Sequence, residues 1–305
     1  MHISALYTYP VKGCRRLQHD AAVTEPWGLA GDRRWMAVDA DGVGITQRQA
    51  PALTRLRAVP RPGGLTLTAL SARDSRDARD SRDARDGSHA RDSSDARDGS
   101  RARDDFGDRG GFEGGLDVAE PVDGPKVTIR VFSSKPPLTA RLADPAQDFL
   151  TELLGRPARL AWLADPTVRP IERHARDSDR VSFADGYPVL LVNEASLTDL
   201  GAGVPVVNFR PNVVVAGGAA WEEDSWVGRR VRLGDVIFRV AEGCNRCVVS
   251  TIDQESGARG QEPLRTLGRV RRVDNRLLFG VNLIPEELPG ETHVIRAGES
   301  VLRLS

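Results

Sequence analysis

Apolar and polar residues alternate with a period of two along much of this chain, the pattern of strands with one buried face. The alternation runs through residues 2–9 (HISALYTY), 33–40 (RRWMAVDA), 53–59, 65–67 and 127–132. Asp41-Gly42 predicts a tight hairpin turn from the second of these into 43–46. Further strands are predicted at 158–163, 212–215, 230–233, 236–240, 247–252, 277–283 and 301–304. Helical spacing is scarcer. Residues 145–154 place Phe149, Leu150, Leu153 and Leu154 on one face. Asn193 can cap a helix running to Leu200, with Gly201 ending it, and 263–270 form a third candidate. Short strands at close spacing with few helices predict a β-rich, barrel-like α+β architecture.

From 71 to 115 this pattern vanishes. The stretch repeats Arg-Asp with Ala, Ser and Gly between, and holds no apolar side chain larger than alanine before Phe106. Such a segment cannot bury enough surface to offset the entropy of ordering it. Residues 72–115 are therefore predicted to be a disordered insert within a first domain, 1–135, with a second domain at 136–305. The 305 residues include 43 basic and 43 acidic side chains, a zero balance. That gives no electrostatic case for a nucleic acid polymer or an anionic membrane. No signal peptide is visible, and apolar runs such as 187–192 and 213–216 are too short to span a bilayer. Three cysteines make no disulfide framework, so a soluble, reduced, cytoplasmic protein is expected.

Two of those cysteines change the picture. Gly243-Cys-Asn-Arg-Cys-Val-Val-Ser-Thr-Ile-Asp253 sets Cys244 and Cys247 three residues apart, with Arg246 between them. A guanidinium beside a thiol favours the thiolate, the form that binds metals and attacks electrophiles. Structural zinc needs about four N/S ligands. Cys14 adds only a third thiol, and His2, His19, His89, His174 and His293 show no metal spacing. A redox C-x-x-C opens a helix, whereas this one leads into strand-like sequence. The plainest alternative is two small apolar side chains in a core strand.

Cationic residues also gather beside turns: Lys12 after Pro10, Arg33 and Arg34 after Gly31-Asp32, Arg48 after the hairpin, and Arg210 before Pro211-Asn212. Guanidinium forks suit phosphate oxygens, so their convergence would suit an anionic cofactor held beside a thiolate. Asp253-Gln-Glu-Ser-Gly257 reads as a turn, because the EF-hand spacing is absent. Trp221-Glu-Glu-Asp-Ser-Trp226 reads as structural, its acids having no identifiable partner in the sequence.

In order along the chain come Tyr9-Pro-Val-Lys-Gly13, Gly28-Leu-Ala-Gly-Asp-Arg-Arg-Trp35, Thr46-Gln-Arg-Gln49 and Ser182-Phe-Ala-Asp-Gly-Tyr-Pro188. Asn193-Glu-Ala-Ser-Leu197, Asn208-Phe-Arg-Pro-Asn212, residues 221–226, the Cys244 to Asp253 run and Phe279-Gly280 follow. This series resembles the molybdenum-cofactor sulfurase C-terminal (MOSC) proteins with their N-terminal β-barrel domain, and among them the amidoxime-reducing component and its bacterial relatives. The resemblance implies an N-terminal β-barrel-like domain, a MOSC β-barrel domain with a few short helices, and a molybdenum cofactor. It implies Cys247 as the catalytic thiolate on molybdenum, with Lys12, Gly13, Arg33, Arg210, Asn212, Asn245 and Arg246 as cofactor contacts. At family level it also brings pyridoxal phosphate binding. The implied reaction is two-electron reduction of small N-hydroxylated compounds: amidoximes, hydroxylamines and N-hydroxylated bases.

Three departures bear on that reading. Gly13 stands where relatives often have a hydroxylic residue, and Asn282 where mammalian relatives have tyrosine. The four-cysteine ferredoxin domain of some bacterial relatives is absent, so electrons are expected from a separate ferredoxin-, flavoprotein- or cytochrome-type donor. Two rival readings are a non-catalytic carrier of the cofactor or its sulfur, and a metal-free protein in which Cys244 and Cys247 form a switchable disulfide.

Overall fold

The computed structural model of the chain describes residues 1–71, 115–286 and 292–304. The Arg-Asp insert lies outside the described residues, its final Gly115 excepted. Strands dominate, with three short α-helices among the described residues, which is the β-rich α+β architecture expected.

Four sheets form among these residues. The largest has nine strands. Its order runs from Val301–Leu304 through Arg230–Leu233, Val236–Asn245, Arg276–Pro285, Val189–Asn193, Val213–Ala216 and His2–Thr8 to Leu17–His19, with Arg272–Val273 paired on Arg276–Pro285. A four-stranded sheet orders Trp35–Val38, Arg159–Trp162, Leu138–Leu142 and Lys126–Ile129. Two three-stranded sheets hold Leu56–Arg61, Gly64–Ala69 and Leu116–Ala119, and His293–Arg296, Ala21–Glu25 and Gly28–Leu29. None of the four closes on itself through strand pairing. Pairing also runs across residue 135: His2–Thr8 lies against Val213–Ala216, and Trp35–Val38 against Arg159–Trp162.

Alternation marks the half-buried strands well. Val236, Phe238 and Val240 are buried while Ile237 and Arg239 between them are half-buried. It hides Val189–Asn193, where all five residues are buried. Val189 and Leu191 enter one core with Phe238 and Trp226, while Leu190 and Val192 enter another with Phe209 and Phe279. A strand covered on both faces has no polar side to alternate with, so this one reads in sequence only as an apolar run.

The helices stand where predicted. Gln147–Leu154 buries Phe149 and Leu150. Glu194–Leu200 begins at Asn193, whose side chain accepts from the Ala195 N–H at 3.0 Å, and stops at Gly201 with φ 60°. Leu264–Val270 is the third.

Three expectations are corrected. Residues 247–252 are not a strand. The chain leaves Val236–Asn245 through two register shifts and enters a 3-10 helix, Val248–Thr251, directly after Cys247. Ser250 Oγ and Thr251 Oγ1 donate to the carbonyls of Cys247 and Val248, both at 2.8 Å, local bonds that compete with a ladder. The strand expected at 53–59 starts later, at Leu56, because Pro51–Arg55 forms a 3-10 turn first. The acids of 221–226 do have partners. Glu223 is fully buried and accepts from Asn193 Nδ2 at 3.1 Å and Ser196 Oγ at 2.9 Å, and Asp224 pairs with Arg271. Burial nevertheless raises the Glu223 carboxyl above its ordinary value.

Candidate functional site

Three stretches of chain converge. The loop after His2–Thr8 carries Lys12 and Gly13, and it is clamped to the approach to Trp35–Val38. Arg33 N donates to Tyr9 O at 2.8 Å, and Lys12 N to Trp35 O at 2.7 Å. The 3-10 turn Val206–Phe209 leads into Arg210 and Asn212. The bend after Val236–Asn245 presents Arg246 and Cys247. Between them lies a cavity of about 300 Å³. Lys12, Gly13, Arg33, Arg210, Asn212, Asn245, Arg246 and Cys247 all line it, as does Arg48. Arg34 does not join them: its Nη2 donates to the carbonyls of Leu163 and Ala164 at 2.7 and 3.1 Å. Asp185, Tyr187, Gln47, Phe132 and Glu242 also line the cavity. The first three of these belong to motifs quoted above, but their types gave no chemical signal.

The cations are held differently. Lys12 pairs with Asp185 and donates to Phe183 O at 2.8 Å. Burial lowers Lys12 to about 8, against the pull of Asp185. Desolvation in the cleft alone would raise Asp185, but Lys12, Arg48 and Arg33 outweigh it and hold the carboxyl down at about 2. Arg33 pairs with buried Asp32, which also accepts from Tyr9 N at 2.7 Å. Arg210 Nη1 donates to Cys14 O at 2.8 Å and to Gln254 Oε1 at 2.9 Å. Arg33 and Arg210 both sit on left-handed backbone, φ 50° and 54°. That conformation costs a bulky residue on the order of 1–3 kcal/mol and persists only where the surroundings enforce it. The buried Tyr9 ring lies 4.6 Å from one guanidinium and 4.1 Å from the other.

Asn212 is mostly committed to the protein. Its Oδ1 accepts from Arg33 Nη1 and Leu190 N, each at 3.2 Å, and its Nδ2 donates to Tyr7 O at 3.2 Å. Asn245 Oδ1 accepts from Leu277 N at 2.9 Å. Gly13 has φ +84°, and a Cβ there would lie 3.0 Å from Leu53 Cδ1. Its carbonyl accepts from Gln47 Nε2 at 2.7 Å, and Gln47 and Gln254 exchange two amide bonds of 3.0 Å. The turn after the cysteine run is thereby tied to the N-terminal loop, a link with no trace in the local sequence.

Both thiols reach the cavity, but Arg246 serves Cys244 alone, and Cys247 meets a different guanidinium. Arg246 Nη1 donates to Cys244 Sγ at 3.0 Å, while Cys247 Sγ accepts from Arg48 Nη2 at 3.2 Å. Arg246 turns back because its Nη2 reaches Phe209 O at 2.6 Å and its plane lies over the Phe209 ring. Cys14 is fully buried, and burial pushes its thiol up to about 11. The three thiols are free. Arg210 Nη2 and Arg246 Nε are buried without a hydrogen-bond partner among the described residues. Buried donors of this kind want an acceptor, so the cavity fits an anionic guest beside Cys247.

Fold and cavity together define a β-rich protein with a thiol-bearing, cationic cleft. The chain belongs to the MOSC family: it matches the MOSC domain over residues 178–302 and the MOSC N-terminal beta barrel domain over residues 1–108. It is 26% identical over 322 residues to a molybdenum cofactor sulfurase of Oryza sativa subsp. japonica, covering 97% of this chain but only 34% of that protein. It is 27% identical over 294 residues to mitochondrial amidoxime-reducing component 1 of Mus musculus, covering 91% of this chain and 74% of that one. The Homo sapiens counterpart is 27% identical over 296 residues, with 91% and 75% covered. The crystal structure of YiiM from Geobacillus stearothermophilus overlaps 39% of this chain and 55% of its own, with TM-score 0.28 and 13% identity. No helix among the described residues is long and apolar enough to cross a membrane.

Proposed function

We propose that the chain is a cytoplasmic, molybdenum-cofactor-dependent reductase of small N-hydroxylated compounds, drawing electrons from a separate donor protein. The observation that carries this reading is the Cys247 thiol opening into a cavity where buried guanidinium nitrogens of Arg210 and Arg246 lack partners. The mouse and human relatives, which bear the name amidoxime-reducing component and span most of this chain, support the substrate class. When bound, the molybdenum cofactor supplies the two-electron oxygen-transfer chemistry that side chains lack.

The protein's own share is binding, orientation and field. Cys247 would be the soft thiolate ligand. Arg210, Arg246, Arg33 and Lys12 would hold the pterin and its phosphate. Asp185 is exposed to the cavity and stays ionised at neutral pH, so it serves substrate N–H groups as an acceptor and is not the proton donor. Tyr187 donates to Glu242 at 2.9 Å, and burial with that carboxylate raises its pKa well above the usual value, so it keeps its proton.

The test is metal analysis of protein made in a molybdopterin-competent host. Wild type is expected to hold molybdenum near one atom per chain and to reduce benzamidoxime with a chemical reductant. Cys247→Ala is expected to lose the turnover and most of the metal. Wild type without molybdenum or pterin sinks the reading. The sulfurase relatives favour a second reading, a carrier of the cofactor or its sulfur, and full metal occupancy without turnover selects it.

A further inference from the structure

Val248, next in the chain to Cys247, is 45% exposed, Val270 is 61% exposed and Val273 is 43% exposed. They lie on elements in contact: Val248–Thr251 and Arg272–Val273 both pack against the helix Leu264–Val270. Single exposed valines are ordinary, but an apolar group on adjoining elements beside a reactive cavity marks an interaction site. The charge around it is predominantly positive. Residues 259–276 carry six arginines and no lysine, against Glu262 and Asp274 alone. Arg271 and Arg276 are paired with Asp224 and Glu242, while Arg265, Arg269 and Arg272 are exposed. Apolar side chains ringed by arginine, with lysine absent, have the composition of a protein–protein interface.

We propose that this face docks an acidic, electron-carrying protein, an inference that rests on the reductase reading above. Reducing an N-hydroxylated group consumes two electrons from the donor and two protons from solvent. It breaks the N–O bond, leaves N–H and releases the oxygen as water. Electron transfer falls off steeply with distance, so the donor must seat its redox centre close to Cys247. Val248 follows Cys247 directly, which makes this face a short route. The valines supply the dry contact, and the arginines steer and orient a partner of opposite charge.

The test uses the full-length, cofactor-loaded protein with two acidic carriers, a plant-type ferredoxin and a flavodoxin. Binding is measured by calorimetry at low and high salt without substrate. Benzamidoxime reduction is driven in parallel by each carrier and by reduced methyl viologen. At least one carrier is expected to bind, and more weakly as salt rises. The variant combining Arg265→Glu, Arg269→Glu and Arg272→Glu is expected to bind that carrier about tenfold more weakly or worse and to lose carrier-driven turnover in proportion. It should keep viologen-driven turnover. Val270→Ser with Val273→Ser should give the same pattern with no change of charge. Wild type that binds neither carrier, or charge reversal that leaves affinity and carrier-driven turnover intact, overturns the docking face. So does a face that proves instead to join two copies of this chain. Failure of viologen-driven turnover in wild type strikes the reductase reading instead, and the calorimetry tells the two failures apart.

Discussion

The two walls of the cavity carry positive charge in different ways. On the N-terminal side, Lys12 pairs with Asp185 and Arg33 with Asp32. On the other, Arg210 and Arg246 lean on carbonyls, an amide, a sulfur and aromatic faces, and neither pairs with a carboxylate among the described residues. Burial pulls the pKa of both Arg33 and Arg210 down. For Arg33 the attraction of Asp32 and its neighbours outweighs burial, whereas for Arg210 burial wins. The first wall brings its own counter-charges to the cavity. The second keeps surplus charge for a guest.

The largest break in that contrast comes from Asp32→Asn. Asp32 is 2% exposed, and losing its charge leaves the Arg33 guanidinium with only neutral hydrogen-bond partners, Asn212 Oδ1 and Arg210 O. Breaking one partner of a buried pair costs about 3–5 kcal/mol, so chemical denaturation should show a drop of that size. An unchanged midpoint would mean that the pair is not structural. Arg210→Met should act the other way round. Its lost bonds to Cys14 O and Gln254 cost about 1–2 kcal/mol of stability. Affinity for inorganic pyrophosphate, read by calorimetry, should fall about tenfold or more, because a charged donor with a free arm is removed. Equal loss of pyrophosphate binding in a folded Asp32→Asn protein would erase the difference between the walls.

The smallest effect concerns Asp185, whose side chain is 63% exposed and whose ion pair is therefore largely screened. Its carboxyl is held below the ordinary 3.8, at about 2. A group depressed on folding contributes stability above its unfolded value and loses it as pH falls through the folded one. The melting temperature of wild type should thus exceed that of Asp185→Asn at pH values above 3.8, and the gap should close toward pH 2. A gap that widens on acidification would refute the assignment.

Much of the strand placement along the chain was legible because half-buried strands must alternate. Arg230–Leu233 and Val301–Leu304 match their expected bounds. Val189–Asn193 escaped because both of its faces are buried. Residues 247–252 misled, because β-branched side chains that favour a strand also include Thr251, whose hydroxyl bonds back to its own turn. The expected site residues, all of which line the cavity, lie in an ordered set of motifs. Their convergence was not legible, since Cys247 and Arg48 stand 199 residues apart in the chain yet touch through Arg48 Nη2.

Sequence alone determined which chemical groups were present: a thiol between cationic stretches, a β-rich alternation and glycine where the backbone turns left-handed at Gly13. Tertiary structure decided which guanidinium faces which sulfur, which cations are already neutralised, and that Gln254 joins the N-terminal loop through Gln47. The physical reason is range. Backbone preference and burial periodicity act between near neighbours along the chain. Charge pairing and hydrogen bonding at a cavity act between residues that only the folded sheets bring together.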